Sequence, residues 1–246
     1  MIILDRLTKS FGSKAVLNGL SLDRTSPSQM RTLFVTANGD VYRSTDDGQN
    51  WSMVIAGGGY RTTAVDPVDG NVVYAGGERG IARSSRRGDP GTWVAVGPRG
   101  IRGTGGGPAR EFGWHGVHQI AAVAGGAYAA AYGEGRGLYR TVDRGATWQR
   151  VRAGDHVRAV AVDPSDPAVI YLTSSPAWRA GGGAEGSEGI LRSADGGRTW
   201  APLNDGLAWP FGGPVVLDRA HPKRILIGSP GTGYQSRTLE TTLAPH

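Results

Sequence analysis

The stretch Arg192–Trp200, RSADGGRTW, recurs along the chain. RSTDDGQNW supplies Ser44, Asp46, Gly48 and Trp51, and RTVDRGATW supplies Thr141, Asp143, Gly145, Thr147 and Trp148. A broken copy, RSSRRGDPGTW, ends at Thr92 and Trp93. Tryptophans 51, 93, 148 and 200 therefore mark a repeat, and a repeat decides the architecture before any single element does. Within RSADGGRTW each residue has a structural use. The Asp195 carboxylate accepts hydrogen bonds from backbone N–H groups that a tight turn leaves unpaired. Gly197 takes a positive φ, where a Cβ would clash. The Ser193 hydroxyl adds a local bond, and Trp200 is expected to pack beneath the turn against the next unit.

Working outward, the best-preserved unit runs from His156 to about Asp205. VRAVAVDP alternates and stops at Asp163-Pro164, AVIYLTSS is a second strand, and PAWRAGGGAEGSE is a polar, glycine-rich loop. GILRSA, the DGGRT turn and TWAPL complete four antiparallel strands. Four strands per unit of about 50 residues is the blade of a β-propeller, an all-β fold. Units open near Leu17, Arg61, His118, Val157 and Pro214, which predicts five blades. The fifth lacks an Asp-Gly turn and its last strand, which MIILDRL could supply. The alternative is a fragment of a six- or seven-bladed propeller. Residues 1–246 read as one domain, with 1–16 either a closing strand or a foreign start.

Composition narrows the function classes. Glycine is 41 of 246 residues, dispersed at turns, with no G-X-Y period. Cysteine is absent, which removes disulfides, thiol catalysis and thiolate metal sites. Of 27 basic residues only Lys9, Lys14 and Lys223 are lysine, and the formal charge is +6. The arginines are scattered, which reads as a solvated surface or a basic face for an acidic glycan. No nucleic-acid partner is expected, because no basic helix or aromatic-rich RNA motif is present. No apolar run is long enough for a membrane span. The N-terminus lacks the apolar core of a secretory leader.

The pattern S/T-x-D-x-G-x-T-W resembles the Asp-box, or bacterial neuraminidase repeat, of the sialidase superfamily. VDPVDGNVVYAGG (Val65–Gly77) and VDPSDPAVIYL (Val162–Leu172) are most similar to xyloglucanase-like glycoside hydrolases and sortilin-type propellers. This resemblance implies the propeller fold and an extracellular or periplasmic setting, while the missing leader leaves the cytoplasm open. It does not fix activity, because such propellers include hydrolases and non-enzymes. Separately, LTKSFG to VLNGLSL resembles the opening strands of an ABC-transporter ATPase. The phosphate loop G-x-x-x-x-G-K-[ST] that should follow is absent.

Antiparallel order puts the Asp-boxes at one end of every blade and the second-to-third loops at the other. Trp114, Trp178 and Trp209 all fall in opposite-end loops, where exposed aromatics suit stacking on sugar rings. Asp40, Glu78, Glu111, Glu134, Asp155, Glu185 and Glu188 share that end. A glycosidase needs two carboxylates about 5–9.5 Å apart. If the chain is a hydrolase, Asp155, Glu134 and Glu78 are the candidates, Glu78 and Glu134 lying in equivalent loops. Arg61, Arg158, His115 and His118 complete the candidate ligand set. The resemblance to sialidases implies an arginine triad, but the Arg-Ile-Pro signature is missing, and no family catalytic residue carries over. HGVH (His115, His118) lacks a third metal ligand, and GTGGG (Gly103–Gly107) lacks the helix of a phosphate loop, so no metal or cofactor is expected. Two readings result: a glycan-directed propeller, hydrolytic or carbohydrate-binding, and a non-enzymatic scaffold for a protein partner, resembling sortilin-type or photosystem-assembly propellers.

Overall fold

The computed structural model describes residues 19–22, 31–98, 101, 115–133, 135–175, 187–207, 211–218, 224–229 and 233–238. Among them there are strands and turns but no α-helix. Strands β1 (Gly19–Leu22), β2 (Leu33–Ala37), β3 (Gly39–Ser44) and β4 (Ser52–Val65) form an antiparallel ladder in chain order. It continues without a break through β5 (Val73–Gly77), β6 (Gly80–Ser84) and β7 (Val94–Val96). Strands β8 (Gly116–Val123), β9 (Gly126–Tyr132), β10 (Gly137–Thr141) and β11 (Gln149–Arg152) make a four-stranded sheet. So do β12 (Val157–Val162), β13 (Ile170–Ser174), β14 (Ile190–Ser193) and β15 (Ala201–Pro202). A three-stranded sheet follows, of β16 (Val215–Leu217), β17 (Arg224–Ser229) and β18 (Gly233–Thr238).

The expected strand sets are present, with one difference. The outer strand of the first set and the inner strand of the second are a single strand, the 14-residue β4. Gly57 and Gly59, at φ of 67° and 60°, let it bend without ending, and Asp40 Oδ1 accepts the Gly57 N–H at 2.6 Å. The stretch proposed as a closing strand, MIILDRL, lies outside the described residues.

The chain forms two compact units: residues 1–106, 113–129 and 140–149, and residues 107–112, 130–139 and 150–246. Phe34, Val41, Val54, Tyr60, Val73, Ala75 and Ala82 build a core in the first. Ala159, Tyr171, Ile190, Val215, Ile225 and Ile227 belong to a core in the second. The second strand of each of the first four sets is buried along its whole length: β2, β5, β9 and β13 expose no residue. A strand covered on both faces must carry small residues where a neighbour comes close. At Gly76 of β5 a Cβ would stand 2.5 Å from Val117 Cγ1 of β8.

The Asp-box turns follow one plan. The Ser44, Thr141 and Ser193 hydroxyls accept the N–H of Gly48, Gly145 and Gly197 at 2.8, 2.8 and 2.9 Å. Each hydroxyl donates to its Asp46, Asp143 or Asp195 carboxylate. The carboxylate in turn accepts the N–H four residues on, from Asn50, Thr147 or Thr199, at 2.9 Å. The residue before each glycine, Asp47, Arg87, Arg144 or Gly196, also has positive φ. Its N–H bonds to the first-to-second turn of its own set, at Arg31, Asn71, Gly125 or Ala168 O. The boxes and first turns thus share one end of each sheet, as strand order requires.

The broken box keeps this turn without its aspartate. Ser84 Oγ accepts the Gly88 N–H at 3.1 Å, and its hydroxyl partner is Thr92 Oγ1 at 2.7 Å. Arg86 stands where the aspartate would be, and four residues on is Pro90, which has no N–H to give. The tryptophans pack against the preceding set rather than the following one. Trp93 lies against the cluster containing Phe34 of β2, Trp148 stands edge-on to Tyr74 of β5, and Arg152 of β11 covers Trp200.

Candidate functional site

At the end away from the boxes, the first unit gathers Tyr60, Arg61, Glu78 and His115. Arg61 sits at a register shift in β4, between the pairs Tyr60↔Gly77 and Thr62↔Gly76. Arg158 sits at the same step of β12, between Val157↔Ser174 and Ala159↔Thr173. A bulge frees its residue from the ladder and re-aims the side chain. The matching segments RTTAVDP and RAVAVDP place both arginines three residues before Ala-Val-Asp-Pro.

Arg61 donates from Nη2 to Glu78 Oε1 at 2.5 Å and from Nη1 to the His115 carbonyl at 3.2 Å. Burial lowers its pKa, and Glu78 acts in the opposite sense. Glu78 lies on the β5–β6 turn, whose backbone is tied to the β4 bend by Glu78 N–H to Gly59 O at 3.2 Å.

In the second unit the corresponding end gathers Tyr132, Arg136, Asp155, His156 and Arg158. The Arg158 guanidinium lies 5.8 Å from the Tyr132 ring centroid, a cation–π distance. The His156 ring meets Tyr132 edge-on at 4.9 Å. His156 is buried at φ 54°, donating its N–H to Gly133 O and accepting from Ser175 N–H. Asp155 Oδ1 accepts the Gly135 N–H at 2.6 Å, while Arg150 donates to Gly135 O at 2.8 Å. Farther out, Arg152 pairs with Glu188 at 2.5 Å.

The candidates therefore separate. Arg61, Glu78 and His115 come together in the first unit, and His118 lies half-buried in β8. Arg158 and Asp155 flank His156 in the second. Trp114, Trp178, Trp209 and Glu134 lie outside the described residues. Tyr132, His156 and Arg136 were not singled out by sequence. Tyr132 ends an unbroken buried strand, and only its position next to the Gly-Glu-Gly loop could have flagged it.

Chemically, the described carboxylates are occupied. Glu78 and Glu188 each hold an arginine, and Asp155 holds a backbone N–H. A glycosidase acid must instead direct its proton at the leaving-group oxygen. Among the described residues no three His, Asp or Glu side chains form a metal-binding group. No helix among them is long and apolar enough to cross a membrane.

These features define an all-β propeller built from Asp-box repeats. The BNR/Asp-box repeat family matches residues 42–53, the first box. No curated protein matches the chain. Among solved structures, the GH74 xyloglucanase from Xanthomonas campestris is 19% identical, over 93% of this chain and 46% of its own, with a TM-score of 0.52. YCF48 from Cyanidioschyzon merolae is 14% identical, over 93% and 68%, with a TM-score of 0.59. A nidogen/laminin complex matches at 13% identity, over 91% and 76%, with a TM-score of 0.62. The chain spans less than half the length of the GH74 structures it matches. At such identities the likeness shows the fold, and that fold serves enzymes and non-enzymes alike.

Proposed function

We propose that this chain is a carbohydrate-binding propeller that holds its ligand at the loop end and does not cleave it. The observation that carries this reading is the state of the loop-end acids in each unit: Glu78 of the first is bound to Arg61, and Asp155 and Glu188 of the second are bound to backbone and to Arg152. In the first unit Arg61 is a guanidinium fixed by Glu78 and the His115 carbonyl, and in the second Arg158 is another, lying over the buried Tyr132 ring. Polar groups of fixed direction beside aromatic surface are what a sugar site requires. Trp114, Trp178 and Trp209, which the sequence assigns to loops of the same end, are the stacking residues this reading calls for, and five repeat units in an extracellular or periplasmic setting complete it.

A second reading, a scaffold for a protein partner, is favoured by the exposed Glu78–Arg79 pair on the β5–β6 turn. A glycan array run with wild type, Arg61→Ala, Arg158→Ala and Trp178→Ala separates the two. Loss of glycan retention in these variants, with the fold intact, supports the first. Absence of any glycan binding by folded wild type eliminates it.

A further inference from the structure

Three of the four boxes place the tryptophan N–H in the same way. Trp51, Trp93 and Trp200 donate Nε1–H to the carbonyls of Gly48, Gly88 and Gly197, at 2.9, 3.3 and 3.0 Å. Trp148 does not. Its indole stands edge-on to Tyr74, ring centroids 6.2 Å apart and planes at 84°. Its Nε1 is buried with no hydrogen-bond partner among the described residues, and the Tyr74 hydroxyl and Arg83 Nε are in the same condition.

The side chains that carry these groups meet at Gly145. A Cβ built on Gly145 would lie 3.1 Å from Tyr74 Cε1, 3.5 Å from Arg83 Cδ and 3.6 Å from Trp148 Nε1. Tyr74 and Arg83 are opposite each other across β5 and β6. Arg83 is held in place by donating Nη1–H to the Arg144 carbonyl at 2.7 Å. The second box, packed on the first set, offers a contrast. Phe34 stands opposite Arg43 where Tyr74 stands opposite Arg83, and a phenyl ring brings no hydroxyl. Trp93, packed against the Phe34 cluster, keeps its bond to the box carbonyl.

A buried donor left without an acceptor is costly, and three of them close together are a large share of the marginal stability of a folded domain. Trp Nε1–H and Arg Nε–H only donate, so what completes the group must accept.

We propose that the third box contains a site for a single-atom hydrogen-bond acceptor, a halide ion or a water molecule, held by Trp148 Nε1, the Tyr74 hydroxyl and Arg83 Nε. A halide accepts from all three and lies against the Arg83 charge. A water accepts from two and returns a hydrogen to a carbonyl such as that of Gly145, the group that takes the indole N–H in the other boxes. The site is independent of any ligand at the loop end.

The test uses the wild-type chain with its tryptophan indoles labelled with nitrogen-15. Titration from sodium gluconate into sodium chloride, then bromide, is expected to shift the Trp148 N–H resonance saturably and leave Trp51, Trp93 and Trp200 unmoved if a halide binds. If water binds, the resonance ignores halide and shows a contact to a long-lived bound water. Tyr74→Phe is expected to weaken either signal. If that variant does not fold, the wild-type titration decides. Neither a halide shift nor a bound-water contact at Trp148, or a crystal structure with Trp148 Nε1 on Gly145 O, would overturn the proposal.

Discussion

Arg43, the residue before the first box, reaches out of its own blade and donates to the carbonyl of Arg87, in the second box, at 2.8 Å. The same guanidinium meets the Asp89 carboxylate at 2.5 Å. Arg83 repeats the move, donating to the Arg144 carbonyl of the third box at 2.7 Å. In the first unit, therefore, the arginine that opens one box latches the next, and the carbonyl it takes belongs to the positive-φ residue of the turn.

Arg43→Ala removes both contacts of a side chain that is only 17% exposed. A charge-assisted bond of this kind is worth roughly 1.5–3 kcal/mol, reduced here because Asp89 is exposed. The expected loss is about 1–2 kcal/mol by urea unfolding. Arg43→Lys should recover less than half, since Nη1 makes both contacts and a lysine ammonium stops one bond short of its position. Full recovery by lysine would show that charge alone matters.

The box aspartates give the chain an acid-labile component. Hydrogen bonds hold Asp46 and Asp143 down to about 2, from Asn50 foremost in one case and Thr147 in the other. Asp195 is lowered in the same direction, chiefly by Thr199. A depressed carboxylate stabilises the fold fully above its unfolded pKa of about 4, and the contribution is lost as pH falls toward 2. Melting temperature should drop across that window. Asp143→Asn should start lower at neutral pH and fall less steeply. Parallel curves for variant and wild type would contradict the assignment.

Gly76 is set by a close approach between strands. A Cβ there would also lie 2.9 Å from Ile120 Cδ1 and 3.0 Å from Thr62 Cγ2. Gly76→Ala should cost about 1–3 kcal/mol through overpacking. Gly91→Ala, where a Cβ meets nothing within 4 Å, is the control for backbone effects, because it carries a positive φ instead of crowding.

The broken box makes the opposite forecast. Restoring the consensus with Arg86→Asp should change stability by less than about 0.5 kcal/mol, as for an ordinary surface substitution. Pro90 cannot supply the N–H that Asn50, Thr147 and Thr199 give. Thermal denaturation of Arg86→Asp beside Asp195→Ala checks this, and a clear gain from Arg86→Asp would mean that the carboxylate finds another donor.

What the sequence showed and hid has a physical pattern. The boxes, their shared end and the strand sets were legible because each rests on contacts within a few residues, as in Ser193–Asp195–Thr199. The continuity of β4 was hidden because Gly57–Gly59 reads equally as a bend or an end. The latch formed by Arg43 and Arg83 was hidden for another reason. The arginine is visible in every copy, but its acceptor is a backbone carbonyl more than 40 residues away, which side-chain identity does not report. The same limit applies to the loop end. Glu78 and Asp155 looked available as acids, since nothing local reveals that Arg61 and the Gly135 N–H hold them.

The most direct test of a ligand-binding, non-cleaving loop end is a reducing-end assay run beside binding measurements, on the same polysaccharides and the same folded protein. The account predicts a bound polysaccharide, retention weakened by Arg158→Ala, and no release of reducing ends above buffer. Release of reducing ends that is abolished by Asp155→Asn or Glu78→Gln would contradict it, and would make this chain a hydrolase.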